Sequence, residues 1–329
     1  MLKIKIYSLI IMGLKEDIAK SRNIKEKSLN AYLTSLKRTY REVIKKDDYD
    51  SNLFNSGGFL KKKYFDDVMD FLNTLKLPTR KNYLAAILVA LTANQTSSDN
   101  DIVNEYRNNL DSVAEEYNDK INNKEKSEKL STNWVSMEEL LKIVKRYKRT
   151  IKEKNLETKK EFSNADMTLY QMYLVGSLYT ILPPVRNDYS DMKVISFKDY
   201  NKLKDKNNNY LVTVGKNKKF FNLGAYKTSD VYGVKIIQIP TLLNKIINKW
   251  LEHNTTGYFI INKQKKAISD NSLTKLLYKT FSATGKKIGS TIIRHIYLSE
   301  RYGDINEQKE ADSEIMGHSL AMQTAYVKK

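Results

Sequence analysis

The chain has 329 residues, no cysteine, and 57 Lys and Arg against 38 Asp and Glu, which gives a formal net charge of +19. The lack of cysteine excludes disulfides and thiolate metal sites and favours an intracellular, reducing setting. The positive charge predicts attraction to a polyanion, with a solvated lysine-rich surface as the alternative. No apolar run approaches the roughly 20 residues of a membrane-spanning helix, so no membrane partner is expected.

Residues 15–117 are predicted to form helices. One apolar stripe at helical spacing includes Leu29, Leu33 and Leu36, and similar stripes follow further along. Basic side chains flank the stripes. These basic side chains suit a module that lies against a nucleic-acid duplex. They suit equally well a helical domain in which the charges only maintain solubility.

A composition change divides the chain. Residues 118–132 have almost no apolar side chains and mixed charge, which is typical of a linker. We therefore predict a helical domain over residues 1–117, a linker over 118–132 and a second domain over 133–329. The basic excess lies late in the sequence, because residues 201–300 contain 18 Lys and Arg against 5 Asp and Glu.

The second domain is predicted to begin with a helix that Ser136 caps, followed by a helix over residues 167–181 that is apolar nearly all round and therefore buried. Two prolines end that helix, and Arg186 follows at the mouth of a loop.

Three short β-rich runs separated by turn signals come next, at residues 210–214, 219–223 and 234–239. They predict a three-stranded antiparallel sheet with Lys227 in its second turn. Helices occupy most of the remainder. The expected fold class is therefore mainly α with a small three-stranded antiparallel sheet (α+β).

The last forty residues hold the candidate chemistry. Gly317 is predicted to end a helix, His318 lies just past it, and Tyr326 lies on a final short helix. A tyrosine near a histidine, with Arg294 upstream, suggests a phenol that attacks a phosphate. Such a reaction without metal needs fixed cations around the phosphate oxygens and a proton donor for the leaving hydroxyl. The sequence offers no recognisable metal spacing, and we expect no cofactor and no small-molecule ligand.

Five motifs in order resemble those of the tyrosine recombinases, the phage-integrase family. They are PPVRNDY at 183–189, YKTSDVYG at 226–233, IIRH at 292–295, MGHS at 316–319, and the tyrosine at 326. The forms of the first two are most similar to versions from large DNA viruses and mobile elements. The resemblance covers roughly residues 134–329, while the helical half resembles the family's core-binding domain in outline.

The resemblance implies a site-specific recombinase or integrase that cleaves and rejoins double-stranded DNA without metal or ATP. Arg186 and Arg294 would hold the scissile phosphate, Lys227 would protonate the leaving 5′ oxygen, and His318 would contact the phosphate or assist proton transfer. Tyr326 would form a 3′-phosphotyrosyl link. The family assembles four protomers on two DNA sites, so a homotetramer on paired sites is implied, with a dimer or monomer off DNA.

The chain departs from the family at one position, which keeps a relative without catalysis open, and two further alternatives remain. The family usually has a histidine three residues before the second arginine, and this chain has Thr291, whose hydroxyl can contact a phosphate but is a poor base. A DNA-binding relative without catalysis is the alternative that this position keeps open, and a type IB topoisomerase with the same residues is a second alternative. For Arg294 the alternative role is an ion pair with Glu300 or Asp304.

Overall fold

The computed structural model describes residues 12–93, 100–123, 126–317, 319–320 and 322–323. The chain divides into two compact units, Met1–Glu125 and Lys126–Lys329. The division falls inside the segment that the composition marks as a linker. Much of that segment is nevertheless helical, since one helix continues to Asn122 and a short helix covers Glu128–Thr132. Ion pairs such as Lys120 with Glu116, at 2.8 Å, lie along the first of these helices.

Unit 1 is helical. Its helices are α1 (Met12–Ser21), α2 (Glu26–Val43), α3 (Ser51–Asn55), α4 (Phe65–Asn73), α5 (Leu77–Ala93) and α6 (Asn100–Asn122). The predicted stripe of Leu29, Leu33 and Leu36 is buried in its core. Helix α5 includes Pro78 in its first turn, a position that needs no backbone N–H, so the proline does not break the helix.

Unit 2 contains the remaining elements. They are α7 (Glu128–Thr132), α8 (Met137–Glu153), α9 (Asn164–Ile181), β1 (Lys193–Ser196), α10 (Phe197–Asn201), β2 (Asn209–Val214), β3 (Lys218–Leu223), α11 (Ser229–Tyr232), β4 (Lys235–Gln238), α12 (Thr241–His253), α13 (Asp270–Thr280) and α14 (Ser290–Met316).

Helix α9 is the centre of unit 2, as its apolar sequence predicts. It packs against α8, α12 and α13, and most of its side chains from Tyr170 to Tyr179 are buried. A capping box of Ser163 and Asp166 closes its first turn, and Lys159 Nζ lies 2.6 Å from the Asp166 carboxylate. These contacts lower the pKa of Asp166 to about 2.

The sheet has four strands in the order β1-β2-β3-β4, and it is mixed. Strands β2, β3 and β4 are antiparallel, as predicted, but β1 pairs with β2 in parallel. The mainly α, α+β class is therefore confirmed, while the prediction of three antiparallel strands is wrong. Strand β1 is only four residues long, and its partner lies across a helical connection, so no local turn signal marks it.

Helix α14 has two unlike halves. Its first turns bury Ile292, Ile293 and Ile296 in the core. Beyond Leu298 nearly every side chain is exposed, and residues 299–316 contain six acidic and two basic side chains. Gly317 ends the helix in the left-handed conformation, at φ 67°, as predicted. No helix in the described part of the chain is long and apolar enough to span a bilayer.

Candidate active site

The arginine loop, residues 183–190, leaves the C-terminal end of α9. The Tyr179 hydroxyl donates a 2.7 Å hydrogen bond to the carbonyl oxygen of Arg186. Three residues on, Tyr189 is 1% exposed and packs edge-on against the rings of Tyr179 and Phe221. The backbone is thus attached to the core at Arg186 and again at Tyr189, while the Arg186 side chain itself is exposed.

Arg294 comes to the same place from the first turns of α14, where it is half-buried. Burial lowers the pKa of Arg294, the charge of Arg186 lowers it further, and the charge of Asp188 opposes both. Burial in turn raises the pKa of Asp188, against the effects of the two arginines. The two guanidinium groups are therefore near enough to repel each other, and the carboxyl group of Asp188 is near enough to interact with both.

The arginine pair has spare capacity for an anion. Neither guanidinium forms an ion pair with a carboxylate of the residues that the structure describes. Glu300, one sequence-based candidate partner of Arg294, instead accepts a 2.9 Å hydrogen bond from the backbone N–H of Met137. A bound anion would relieve the repulsion between two planar donors that each bind a pair of oxygens.

Asn187 fixes the arginine loop to the helix that carries Arg294. Its Oδ1 accepts a 2.9 Å hydrogen bond from the hydroxyl of Ser290, the first residue of α14. Its Nδ2 donates to the Asp270 carbonyl oxygen at 3.0 Å and to the Thr274 hydroxyl at 2.8 Å. One amide therefore connects the loop with both α13 and α14.

Lys227 lies in the lysine turn, residues 224–233, between β3 and β4, and it is exposed. The turn begins at Gly224, where a Cβ atom would lie 2.1 Å from the Lys206 carbonyl oxygen, so only glycine fits without backbone movement. The turn closes with a 2.8 Å hydrogen bond from the Tyr226 hydroxyl to the Gly233 carbonyl oxygen. The structure therefore places Lys227 on a surface turn, as the sequence predicts.

Asn209, at the start of β2, connects the lysine turn with the arginine loop. Its Nδ2 donates to the carbonyl oxygens of Asp188 and Ala225, each at 3.0 Å. Its Oδ1 accepts a 2.9 Å hydrogen bond from the backbone N–H of Ala225. Segments that contain Arg186 and Lys227 therefore meet at a single side chain.

Thr291 lies beside this arrangement, in a pocket that Asn187 of the arginine loop also lines. It is exposed and lines a pocket of about 260 Å³ together with Lys129, Tyr278, Lys287 and His295. Among the residues described, the pocket lining includes none of Arg186, Lys227 and Arg294. His295 is exposed one turn beyond Thr291 on the same helix face, and the spacing of four residues in the sequence indicates this neighbourhood.

Two predicted site residues, His318 and Tyr326, lie outside the described residues, so their roles stay predictions. Across the ranges that the structure covers, no three His, Asp or Glu side chains are grouped as metal ligands. The described site therefore consists of two neighbouring arginines, an exposed lysine on an attached turn, and the Thr291 surface.

No protein-family model matches this chain. No curated protein matches it either. Among solved structures, the crystal structure of XerA recombinase is similar to it at 11% sequence identity and a TM-score of 0.34, over 98% of this chain and 94% of that chain. A similarity this low carries no argument about activity, and the chemistry must be argued from the residues themselves.

Proposed function

We propose that this chain is a tyrosine-type site-specific DNA recombinase or integrase that acts on double-stranded DNA. The observation that carries the proposal is the arginine pair. The residue after Arg186 accepts a 2.9 Å hydrogen bond from Ser290, one turn before the half-buried Arg294, so the two arginines come from separate elements to one place. Two guanidinium groups held together against their own repulsion favour a doubly contacted oxyanion such as a phosphodiester. The net charge of +19 favours a polyanionic substrate.

The proposed reaction begins with attack of the Tyr326 oxygen on phosphorus. The phenol proton leaves with the help of His318 or solvent, and the tyrosine–phosphorus bond forms while the bond from phosphorus to the 5′ oxygen breaks. Lys227 gives its proton to that oxygen. Arg186 and Arg294 stabilise the charge on the non-bridging oxygens throughout. The phosphotyrosyl link conserves the phosphodiester, so a second 5′ hydroxyl reverses the step without ATP or metal.

The proposed assembly is a homotetramer on two DNA sites, in which each protomer cleaves one strand. Thr291 is proposed to donate a hydrogen bond near the phosphate without acting as a base, since a hydroxyl group is a poor proton acceptor. Proton transfer would then depend on Lys227 and His318.

The test is covalent capture on a duplex with a nick close to the cleavage point, so that the released fragment diffuses away and the intermediate persists. Because the target sequence is unknown, a random-sequence library of such duplexes is used. We expect a protein–DNA species that survives denaturant, disappears in Tyr326→Phe, and falls by about 10²–10³-fold in Arg186→Ala or Arg294→Ala. Tyr302→Phe, which changes an exposed tyrosine on α14, is the matched control.

Three outcomes would count against the proposal. An adduct that persists in Tyr326→Phe would reject the nucleophile. Salt-dependent DNA binding without any adduct would indicate a binding protein that does not catalyse. Relaxation of a supercoiled plasmid by a monomer, with no exchange between two sites, would indicate a topoisomerase.

A further inference from the structure

Two asparagines, Asn187 and Asn209, stand between the segments that carry the three candidate cations. We infer that these asparagines are positioning residues: Asn187 sets the spacing of Arg186 and Arg294, and Asn209 sets the spacing of Lys227 and Arg186. The inference rests on the proposed function. Asn209 lies outside every motif of the sequence, and Asn187 lies within the motif at 183–189 without a role of its own. The inference gives each of them a different step of the reaction.

Asn209 is the stronger case because all of its amide capacity is used between two chain segments. Its two N–H groups donate to carbonyl oxygens on opposite sides, that of Asp188 in the arginine loop and that of Ala225 in the lysine turn. Its oxygen accepts from the N–H of Ala225. An amide has two donors and a carbonyl acceptor, and no smaller side chain can make these three contacts.

The two residues whose carbonyl oxygens accept from Asn209 lie close in sequence to the two cations. Asp188 is two residues after Arg186, and Ala225 is two residues before Lys227. Because both carbonyl oxygens lie 3.0 Å from the same nitrogen, the backbone of the turn is fixed relative to the backbone of the loop. Removing the amide would let the lysine turn move while the arginine loop stays attached through Tyr179 and Tyr189.

Asn187 makes the corresponding connection on the other side of Arg186. It joins the loop to α13 through Asp270 and Thr274, and to Ser290 at the first residue of α14. Arg294 lies one turn further along α14. Removing this amide would change the distance between the two guanidinium groups without changing either arginine.

The two asparagines therefore affect different chemistry. A displaced Lys227 impairs protonation of the leaving 5′ oxygen, whereas displaced arginines impair stabilisation of the phosphate whatever the leaving group is. Replacing the bridging 5′ oxygen with sulfur separates these effects. A thiol has a pKa of about 8.5 and can leave as a thiolate without a proton, whereas a hydroxyl oxygen cannot.

The experiment measures the rate of adduct formation by the full chain on matched duplexes with a 5′ oxygen or a bridging 5′ sulfur. We expect Asn209→Ala to be slowed about 10²-fold on the oxygen substrate and to recover to within about threefold of the unmodified protein on the sulfur substrate. We expect Asn187→Ala to be slowed about 10²-fold on both substrates. Asn208→Ala, a change in the adjacent exposed asparagine, is the matched control and should match the unmodified protein.

Equal slowing of Asn209→Ala on the two substrates would overturn its link to the lysine, and rates like those of the unmodified protein in either alanine variant would overturn that residue's role. If an alanine variant loses its cooperative melting transition, the Asp variant at the same position replaces it. Aspartate keeps the volume of asparagine but loses the N–H donors, and the same two rates then test the residue's role. Failure of the unmodified protein to form any adduct would count instead against the proposed function, so the two failures are distinguishable.

Discussion

The arginine loop and the lysine turn present cations in opposite ways. The arginine loop is attached to the core through buried Tyr179 and Tyr189, and Arg294 joins it from a buried helix start. The lysine turn lies on the surface, with Val231 76% exposed and Tyr232 68% exposed. A guanidinium group is a planar fork whose orientation matters, while an ammonium group is a point charge on a flexible stem. The more rigid support belongs to the group that needs orientation.

The largest effect is expected from removing the buried anchor of the arginine loop. Tyr189→Ala should lower the free energy of unfolding by about 3–5 kcal/mol, because a fully buried ring leaves a cavity that its neighbours cannot fill. Tyr232→Ala, in the lysine turn, should change it by less than about 0.5 kcal/mol. Urea denaturation of both variants measures the difference.

A second variant at the same position isolates the ring from its hydroxyl. The Tyr189 hydroxyl is buried and has no hydrogen-bond partner among the described residues, so Tyr189→Phe should be neutral or slightly stabilising. A large loss in Tyr189→Phe, or a loss below about 1 kcal/mol in Tyr189→Ala, would contradict the view of this ring as an apolar anchor.

The next effect distinguishes the orientation of the guanidinium group at position 294 from its positive charge. Arg294→Lys keeps the charge but loses the fork, and we expect adduct formation to fall by about 10²–10³-fold. The surroundings that lower the pKa of Arg294, namely burial and the charge of Arg186, would also lower that of a lysine there. Activity of the variant should therefore fall further as pH rises. A pH series of adduct yields measures this.

Arg186→Lys is the comparison variant, because the side chain at position 186 is exposed whereas the one at position 294 is half-buried. We expect a smaller loss with no added pH dependence. Equal behaviour of the two variants would show that the half-buried setting of Arg294 has no special effect.

The smallest effect is a pH dependence of stability from Asp188. Burial raises its pKa above the ordinary 3.8, so the folded protein holds this proton more tightly than the unfolded chain does. The stabilisation of the folded state by the protonated carboxyl group is complete below pH 3.8. It is lost as pH rises through the pKa of Asp188 in the folded protein. Relative to Asp188→Asn, the unmodified protein should therefore lose stability as pH increases from about 4. Melting temperatures at several pH values measure the trend.

Asp199 supplies a control of opposite sign. Its hydrogen bond from Ser196 lowers its pKa, so its contribution is present at higher pH and is lost as pH falls through the folded pKa. Parallel trends for Asp188→Asn and Asp199→Asn would contradict the assignment of burial as the cause at Asp188.

Local patterns predicted much of the fold. The helical stripe of Leu29 and Leu33, the all-apolar helix α9 and the stop at Gly317 are properties of neighbouring residues, and the structure has all of them. Strand β1 was missed because its four residues have no distinguishing period. Its partner residues in β2 lie across a connection that no local signal specifies.

The site shows the same limit. The motifs predicted where Arg186, Lys227 and Arg294 lie along the chain, but not the amides that connect them, because the partners of Asn187 and Asn209 lie up to 103 residues away. A count of charged residues also does not show which of them are buried. Lys219 contributes to the basic excess, yet it is 3% exposed and bonds to Asn244 Oδ1 at 3.1 Å.

The outer half of α14 gives unit 2 an electrostatic direction. Its six acidic and two basic side chains give this half of the helix a negative charge, on a chain whose net charge is +19. A polyanion that approaches these residues is repelled, while the basic excess of residues 201–300 attracts it, so the unit experiences a torque before any contact forms. The torque weakens with added salt, because screening at 0.15 M extends over only about 8 Å. We therefore expect the acidic half of α14 to influence the orientation in which a polyanion meets unit 2, most strongly at low salt.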